Sequence, residues 1–310
     1  MTEKQKSDIL AHIEADKTRL GSYAKVATKC GISETTISQL RNGKYATDGD
    51  DIWYKIATAL GVSLQESAWA IVQITNTRLI HAMLDSAKSR SLFIGISHKA
   101  GSGKSAATTT FETANKATGV FRLACREWGR REFLFRLCQC LGIDSERKYS
   151  TSDDGMIEAI SDFFNQRSGI RPLLILDEAD KLKPFALRSL IPIYNECENR
   201  LGLVICGCDN LEMEFNRGVR YNKKGYDEMA SRFGRKFIHL TGCTEGDVSR
   251  ICAANGITSG KAQKAIFEEC DPIATYINNQ NIKVVHDIRR IRRIVERELM
   301  KTPRLEGVTA

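Results

Sequence analysis

Residues 91–105 read Ser91-Leu92-Phe93-Ile94-Gly95-Ile96-Ser97-His98-Lys99-Ala100-Gly101-Ser102-Gly103-Lys104-Ser105, and this stretch decides the fold. A short apolar run, sized for a buried strand, passes into a glycine-bearing loop and then into the helical pattern that starts at Ala106. In that context the loop is a phosphate cradle. Backbone N–H groups of Ala100, Gly101, Ser102, Gly103, Lys104, Ser105 and Ala106 can converge on phosphate oxygens at a helix N-terminus. Lys104 then reaches the β- and γ-phosphates, and the Ser105 hydroxyl is available to Mg2+. One position departs from the pattern: His98 stands where the first glycine of such a loop is usual.

The complementary half of a triphosphate site lies 73 residues further on. In Leu173-Leu174-Ile175-Leu176-Asp177-Glu178 an apolar strand ends in two acids, the form expected when Asp177 supports Mg2+ and Glu178 polarises an attacking water.

Around these two motifs, residues 92–240 alternate compact apolar runs (SLFIGI, GVFRLA, LLILD, LGLVICG, KFIHL) with amphipathic stretches such as REFLFRLCQCLG. That alternation predicts βαβ units and a parallel sheet. Before it the runs are short and helical. After Thr241 the spacing is helical again, at Val248, Ile251 and Cys252, then Ala262, Ala265 and Ile266, then Val284, Val285, Ile288 and Ile291. The organisation expected is a helical head at 1–65, linker helices at 66–90, an α/β core at 91–241, a helical lid at 242–302 and a tail at 303–310.

With 310 residues, 42% hydrophobic and 27% charged, the composition is that of a globular protein of about two domains. No run approaches the ~18 apolar residues of a membrane helix, and the N-terminus has no apolar signal core, so a cytoplasmic protein is expected. The ten cysteines lie in apolar stretches without a CxxC pair and read as reduced thiols; the five histidines are scattered, against a structural zinc.

The two motifs together resemble the AAA+ ATPases, and further residues extend the resemblance. After the strand LGLVICG comes Cys208-Asp209-Asn210, where that family places a polar sensor of the γ-phosphate; Cys208 departs from the usual residue, leaving Asn210 or Asp209 for the role. Ala230-Ser231-Arg232-Phe233-Gly234-Arg235 is similar to the box carrying the arginine finger, with Arg232 preferred over Arg235. His286-Asp287-Ile288-Arg289-Arg290 resembles the GDxRR segment of clamp loaders, with His286 for glycine, which makes Arg289 the second sensor. The resemblance implies ATP and Mg2+ as cofactors, ATP hydrolysis, a five-stranded parallel sheet with flanking helices and a helical lid, and an oligomer with ATP between protomers.

The head, YAKVATKCGISETTISQLRNGKY over 23–45, looks like a lambda-repressor type of helix-turn-helix. Ala27 allows close crossing, Gly31 the tight turn, Ile32, Ile37 and Leu40 the core, and Ser33 caps a second helix bearing Glu34, Thr35, Thr36, Ser38 and Gln39. Its charge is nearly neutral: residues 1–65 hold nine Lys/Arg and eight Asp/Glu. The chain's net +8 sits elsewhere, with +5 in each of 215–236 and 283–304 and a further basic point at Arg126, Arg130 and Arg131. Phosphate contacts are therefore expected from Arg126, Arg130, Arg131, Lys223 and Lys224 rather than from the head.

Head, linker, small core and lid in this order resemble the target-selector ATPases of phage Mu and related DNA transposons. That resemblance implies ATP-driven assembly, as a filament or ring, on double-stranded DNA with little sequence preference, and recruitment of a transposase. An ATP-gated transcriptional regulator, or a relative of replication initiators and clamp loaders, is the alternative.

Overall fold

The computed structural model describes residues 1–45, 50–62, 69–143, 152–277 and 280–301. The expected tail at 303–310 and the first residues of the expected linker, 66–68, lie outside the described residues.

Four helices make the head: α1 (Glu3–Leu20), α2 (Tyr23–Cys30), α3 (Glu34–Arg41) and α4 (Asp51–Leu60). Local signals set their ends. Thr2 and Gln5 form a capping box on α1, Ser22 and Ser33 cap α2 and α3, and Gly31 closes α2 in the left-handed conformation at φ 63°. Ile9, Ile13, Val26, Ala27, Ile37, Leu40 and Ile56 are buried between the helices.

α5 (Thr75–Arg90) leads into β1 (Phe93–Ser97) and α6 (Lys104–Asn115), followed by β2 (Val120–Ala124), α7 (Arg130–Leu141), α8 (Asp153–Asn165) and β3 (Leu173–Asp177). Then come α9 (Pro184–Arg188), α10 (Leu190–Cys197), β4 (Gly202–Gly207), α11 (Asp209–Arg220), α12 (Tyr226–Arg232) and the short β5 (Phe237–Ile238). The five strands form one parallel sheet in the order β2-β3-β4-β1-β5. Each expected apolar run is a strand of it. β3 and β4 are buried along their whole length, which is why they read as unbroken apolar runs rather than alternating ones. Because all strands run the same way, the C-terminal ends of β1, β3 and β4 lie on one edge, and that edge carries the loops at 98–103, 178–183 and 208.

Of the segment 66–90, expected as linker helices, residues 75–90 form the helix α5, which packs on β4, β1 and α6 with Ile80, Leu84 and Ala87 fully buried in the core cluster, while residues 69–74 are not helical. The lid is also not purely helical. Between α13 (Glu245–Ala254), α14 (Gly260–Glu269) and α15 (Ile288–Lys301) stands an antiparallel hairpin of β6 (Ile273–Ile277) and β7 (Gln280–Val284). Val284 ends β7 and Val285 bridges Cys243, so these two valines, which mimic a helical step, are extended backbone closing the lid core.

The head is seated on the core rather than tethered to it. Arg19, fully buried, donates to the Val120 carbonyl at 2.9 Å and to Glu112 Oε1 of α6 at 3.0 Å, and its Nη2 lies 2.8 Å from buried Asp16. Lys116, just beyond α6, donates to the Leu60 carbonyl at 3.0 Å and lies 2.8 Å from His12 Nδ1, and Arg167 reaches the Leu20 carbonyl at 2.8 Å. Burial, with the neighbouring Lys116 ammonium, holds the His12 pKa below its ordinary value. Among the described residues no helix is long and apolar enough to cross a membrane.

Candidate nucleotide site

Gly101 and Gly103 give the loop after β1 its shape. Both adopt positive φ, 83° and 88°, and a side chain at either would meet the lid: Asp287 at position 101, and at position 103 Ile288 Cδ1, which would lie 2.8 Å from the added Cβ. The lid start is pinned there, since Ile288 N donates to the Gly101 carbonyl at 2.8 Å. Asn76 of α5, 1% exposed, ties the same loop down from the other side, donating to the Ser102 carbonyl at 3.2 Å and accepting from Gly242 N at 3.1 Å.

His98 is accommodated because its position needs no left-handed backbone. It is buried, its N–H donates to the Gly207 carbonyl at 3.3 Å, and its Nε2 lies 3.2 Å from Nδ1 of His286. The two positions where the sequence departs from glycine thus meet across the cleft between loop and lid. Burial, then the neighbouring His286 and Lys104, push the His98 pKa down to about 4; burial, then Lys99, also lowers that of His286.

Lys104 Nζ donates to the carbonyls of His98 (2.6 Å) and Lys99 (3.0 Å) and to Ser102 Oγ (3.1 Å), and burial lowers its pKa. Asp177, 1% exposed at the end of β3, accepts from Arg122 Nη2 at 2.6 Å through Oδ2 and from Glu178 N at 3.0 Å through Oδ1. Thr108 Oγ1 lies 3.1 Å from the Ser105 carbonyl and 3.4 Å from Asp177 Oδ2, placing both beside one side chain. The Ser105 hydroxyl and the Asp177 carboxylate, both on residues lining the same cavity, are hard oxygen donors of the kind Mg2+ takes, and they fit it. Glu178 adopts φ 55° and accepts from Lys181 at 2.7 Å, while Asp180 accepts from Cys208 N at 3.1 Å.

The phosphate loop, Asp177 and Glu178 face one cavity of about 480 Å³, within the range of small-molecule and cofactor sites. Ala100 to Ala106, Asp177, Glu178 and Arg289 line it, as do Asp180, Cys208 and Arg292. Asn210, expected as a sensor, is exposed on α11 and is not among the lining residues; Asp209 is not among them either, and Cys208 with Asp180 occupies that corner. The apolar wall was not foreseen. It comes from Trp69, Ile71, Val72 and Ile74 with Ile251 and Ile288, and Asn255 fixes it by hydrogen-bonding both N–H and carbonyl of Ala70, at 2.8 and 3.2 Å. The Arg292 guanidinium lies 5.4 Å from the Trp69 ring centroid. Trp69 and the three branched apolar residues Ile71, Val72 and Ile74, between helical blocks, are the trace of this wall in the sequence.

The remaining expected residues lie outside this cavity. Arg232 donates to Asn195 Oδ1 at 2.6 Å and Glu228 Oε1 at 2.7 Å and sits over Tyr194, whereas Arg235, 55% exposed at its side chain, pairs with Asp227 at 2.7 Å. Arg130 is held by Asp153 and Asp154, and Arg131 lies 3.7 Å from Asp153; Arg126, Lys223 and Lys224 are exposed.

Residues 92–213 match the family model described as AAA domain, and residues 17–67 match Helix-turn-helix. The chain carries an AAA-type ATPase domain. Its five-stranded sheet with flanking helices and its head accord with an AAA domain preceded by a helix-turn-helix. The crystal structure of Cdc6p from Pyrobaculum aerophilum is similar at 15% identity and a TM-score of 0.48, over 64% of this chain and 52% of that one. The match thus spans about half the length of Cdc6p. No curated protein is significantly similar to the chain.

Proposed function

We propose that this AAA protein hydrolyses ATP and uses the nucleotide to control assembly on double-stranded DNA. The observation that carries the reading is the convergence of Lys104, Ser105, Asp177, Glu178 and Arg289 on one cavity whose opposite wall is apolar and aromatic, suited to phosphates at one end and a base at the other. Lys104 and the N–H groups of 101–106 hold phosphate oxygens, and Glu178 takes the proton of the attacking water. Mg2+, held by Ser105 and Asp177, would neutralise phosphate charge. Arg289 and Arg292, at the start of α15, couple the state of the site to the lid.

A trans-acting arginine must leave its own subunit. Arg232 is engaged by Asn195, Glu228 and Tyr194, so the exposed Arg235 takes the finger role in this reading. Lys223, Lys224 and Arg126 supply phosphate contacts; Arg130, paired with two aspartates, contributes less. The resemblance of head, core and lid to the target-selector ATPases typified by the Mu B protein supports a role in DNA transposition, with a transposase as partner. A second reading, an ATP-gated sequence-specific regulator, is favoured by the head: Thr35, Ser38 and Gln39 of α3 stay exposed while α1 is seated on the core.

Electron microscopy and ATPase assays of the full chain with duplex DNA of random sequence test the proposal. Glu178→Gln is expected to lower turnover by roughly 100-fold or more while retaining ATP-dependent assembly on DNA, and Lys104→Ala to lose nucleotide binding. Undiminished hydrolysis by Glu178→Gln sinks the assignment of the base. Tight operator-specific binding without assembly favours the regulator.

A further inference from the structure

We propose that Phe185, at the tip of α9, is an apolar wedge that inserts against a base step of double-stranded DNA while flanking basic side chains hold the two phosphate backbones. The inference rests on the DNA-binding reading above and goes beyond it by naming the element that distorts the duplex.

Helix α9 is five residues long and begins with Pro184 at its first turn. Its inner face is fixed by Ala186 and Leu187, 0% and 1% exposed, which forces Phe185 outward, where it is 65% exposed. Arg188, one turn on, places its guanidinium 4.3 Å from the Phe185 ring centroid, so the ring is braced by a cation rather than covered by apolar neighbours.

Contacts join this tip to both basic loops. On one side Lys183 N donates to the Trp128 carbonyl at 3.0 Å, and Trp128 N to the Arg126 carbonyl at 2.6 Å. On the other, Arg188 Nη1 donates to the Lys224 carbonyl at 3.3 Å. Gly225, at φ 83°, lets the chain pass this close, since a side chain there would meet Arg188 Cδ at 2.9 Å. The strip 126–128, 183–188 and 220–224 carries six Lys/Arg and one acid, Glu127. An exposed aromatic ring between two cationic arms is the arrangement of duplex-bending proteins, in which lysines and arginines hold phosphates and an apolar side chain unstacks a step. Its chemistry matches a duplex, with a backbone on either side of the ring.

The full chain with ATP, titrated onto duplexes carrying 2-aminopurine at varied salt, tests this. Phe185→Ala is expected to weaken binding about tenfold, leave the slope of log affinity on log salt unchanged, and abolish the 2-aminopurine unstacking signal. Phe185→Trp should restore both affinity and signal. Lys183→Ala should lower the salt slope by about one while keeping the signal. Unchanged affinity and signal in Phe185→Ala, alongside weakened binding by Lys223→Ala/Lys224→Ala, overturns the wedge and leaves the DNA reading standing. Tighter binding to single strands than to duplex also overturns it. Absence of duplex binding by the unaltered chain with ATP overturns the DNA reading itself.

Discussion

Lowering the pH should loosen the contact between phosphate loop and lid through His98 and His286. His98 is buried and the partly buried His286 lies against it, 3.2 Å between Nε2 and Nδ1, with Lys104 and Lys99 nearby and Asp209 offsetting them. In the unfolded chain His98 titrates near its ordinary 6.5, and in the folded protein near about 4. Between these values the unfolded state binds the extra proton, so stability is complete above about pH 6.5 and falls as pH drops toward about 4. At about pH 5 the gap of roughly 1.5 units corresponds to about 2 kcal/mol at 1.36 kcal/mol per unit. His98 is 7% exposed, so water screens little of this, and His286 adds in the same direction. Urea unfolding of the full chain at a series of pH values measures it, with His98→Asn as the comparison. The wild type should lose about 2 kcal/mol more than the variant between about pH 7.5 and about pH 5. Parallel pH profiles for the two proteins would refute the reasoning.

Removing the Arg19 side chain leaves Asp16 buried beside Lys29 alone, and Arg19→Ala should cost about 3–5 kcal/mol and make the head susceptible to limited proteolysis; unchanged thermal unfolding contradicts the seated head. Gly101→Ala places a methyl against Asp287 at a positive φ, and is expected to reduce affinity for a fluorescent ATP analogue at least tenfold, which equilibrium titration reads. Arg122→Met strips Asp177 of its charged partner in a buried setting, and should lower stability by about 3 kcal/mol in urea unfolding, with Arg122→Lys intermediate.

The strands, the phosphate loop and the acidic pair were legible because each is written in contiguous residues. A buried parallel strand needs an unbroken apolar run, a phosphate cradle needs glycine at 101 and 103, and Ser33 supplies the N-cap of α3. The hairpin β6–β7 escaped because residues 273–284 lack a clean alternation, and Val284-Val285 mimics a helical step. The cavity's apolar wall escaped for another reason: Trp69, Ala70 and Asn255 are separated by 185 residues and meet only once the lid folds back.

Sequence by itself thus determined the chemistry available, because the identity and spacing of Lys104, Ser105, Asp177 and Glu178 follow from local backbone geometry. Only the tertiary structure decided which groups meet. It brought His98 to His286 across 188 residues, set Arg122 on Asp177, buried Arg19 between head and core, and left Phe185 in water between two basic loops. Such pairings depend on how the lid, head and short helix α9 pack against the sheet, and packing is a property of surfaces that no single segment carries.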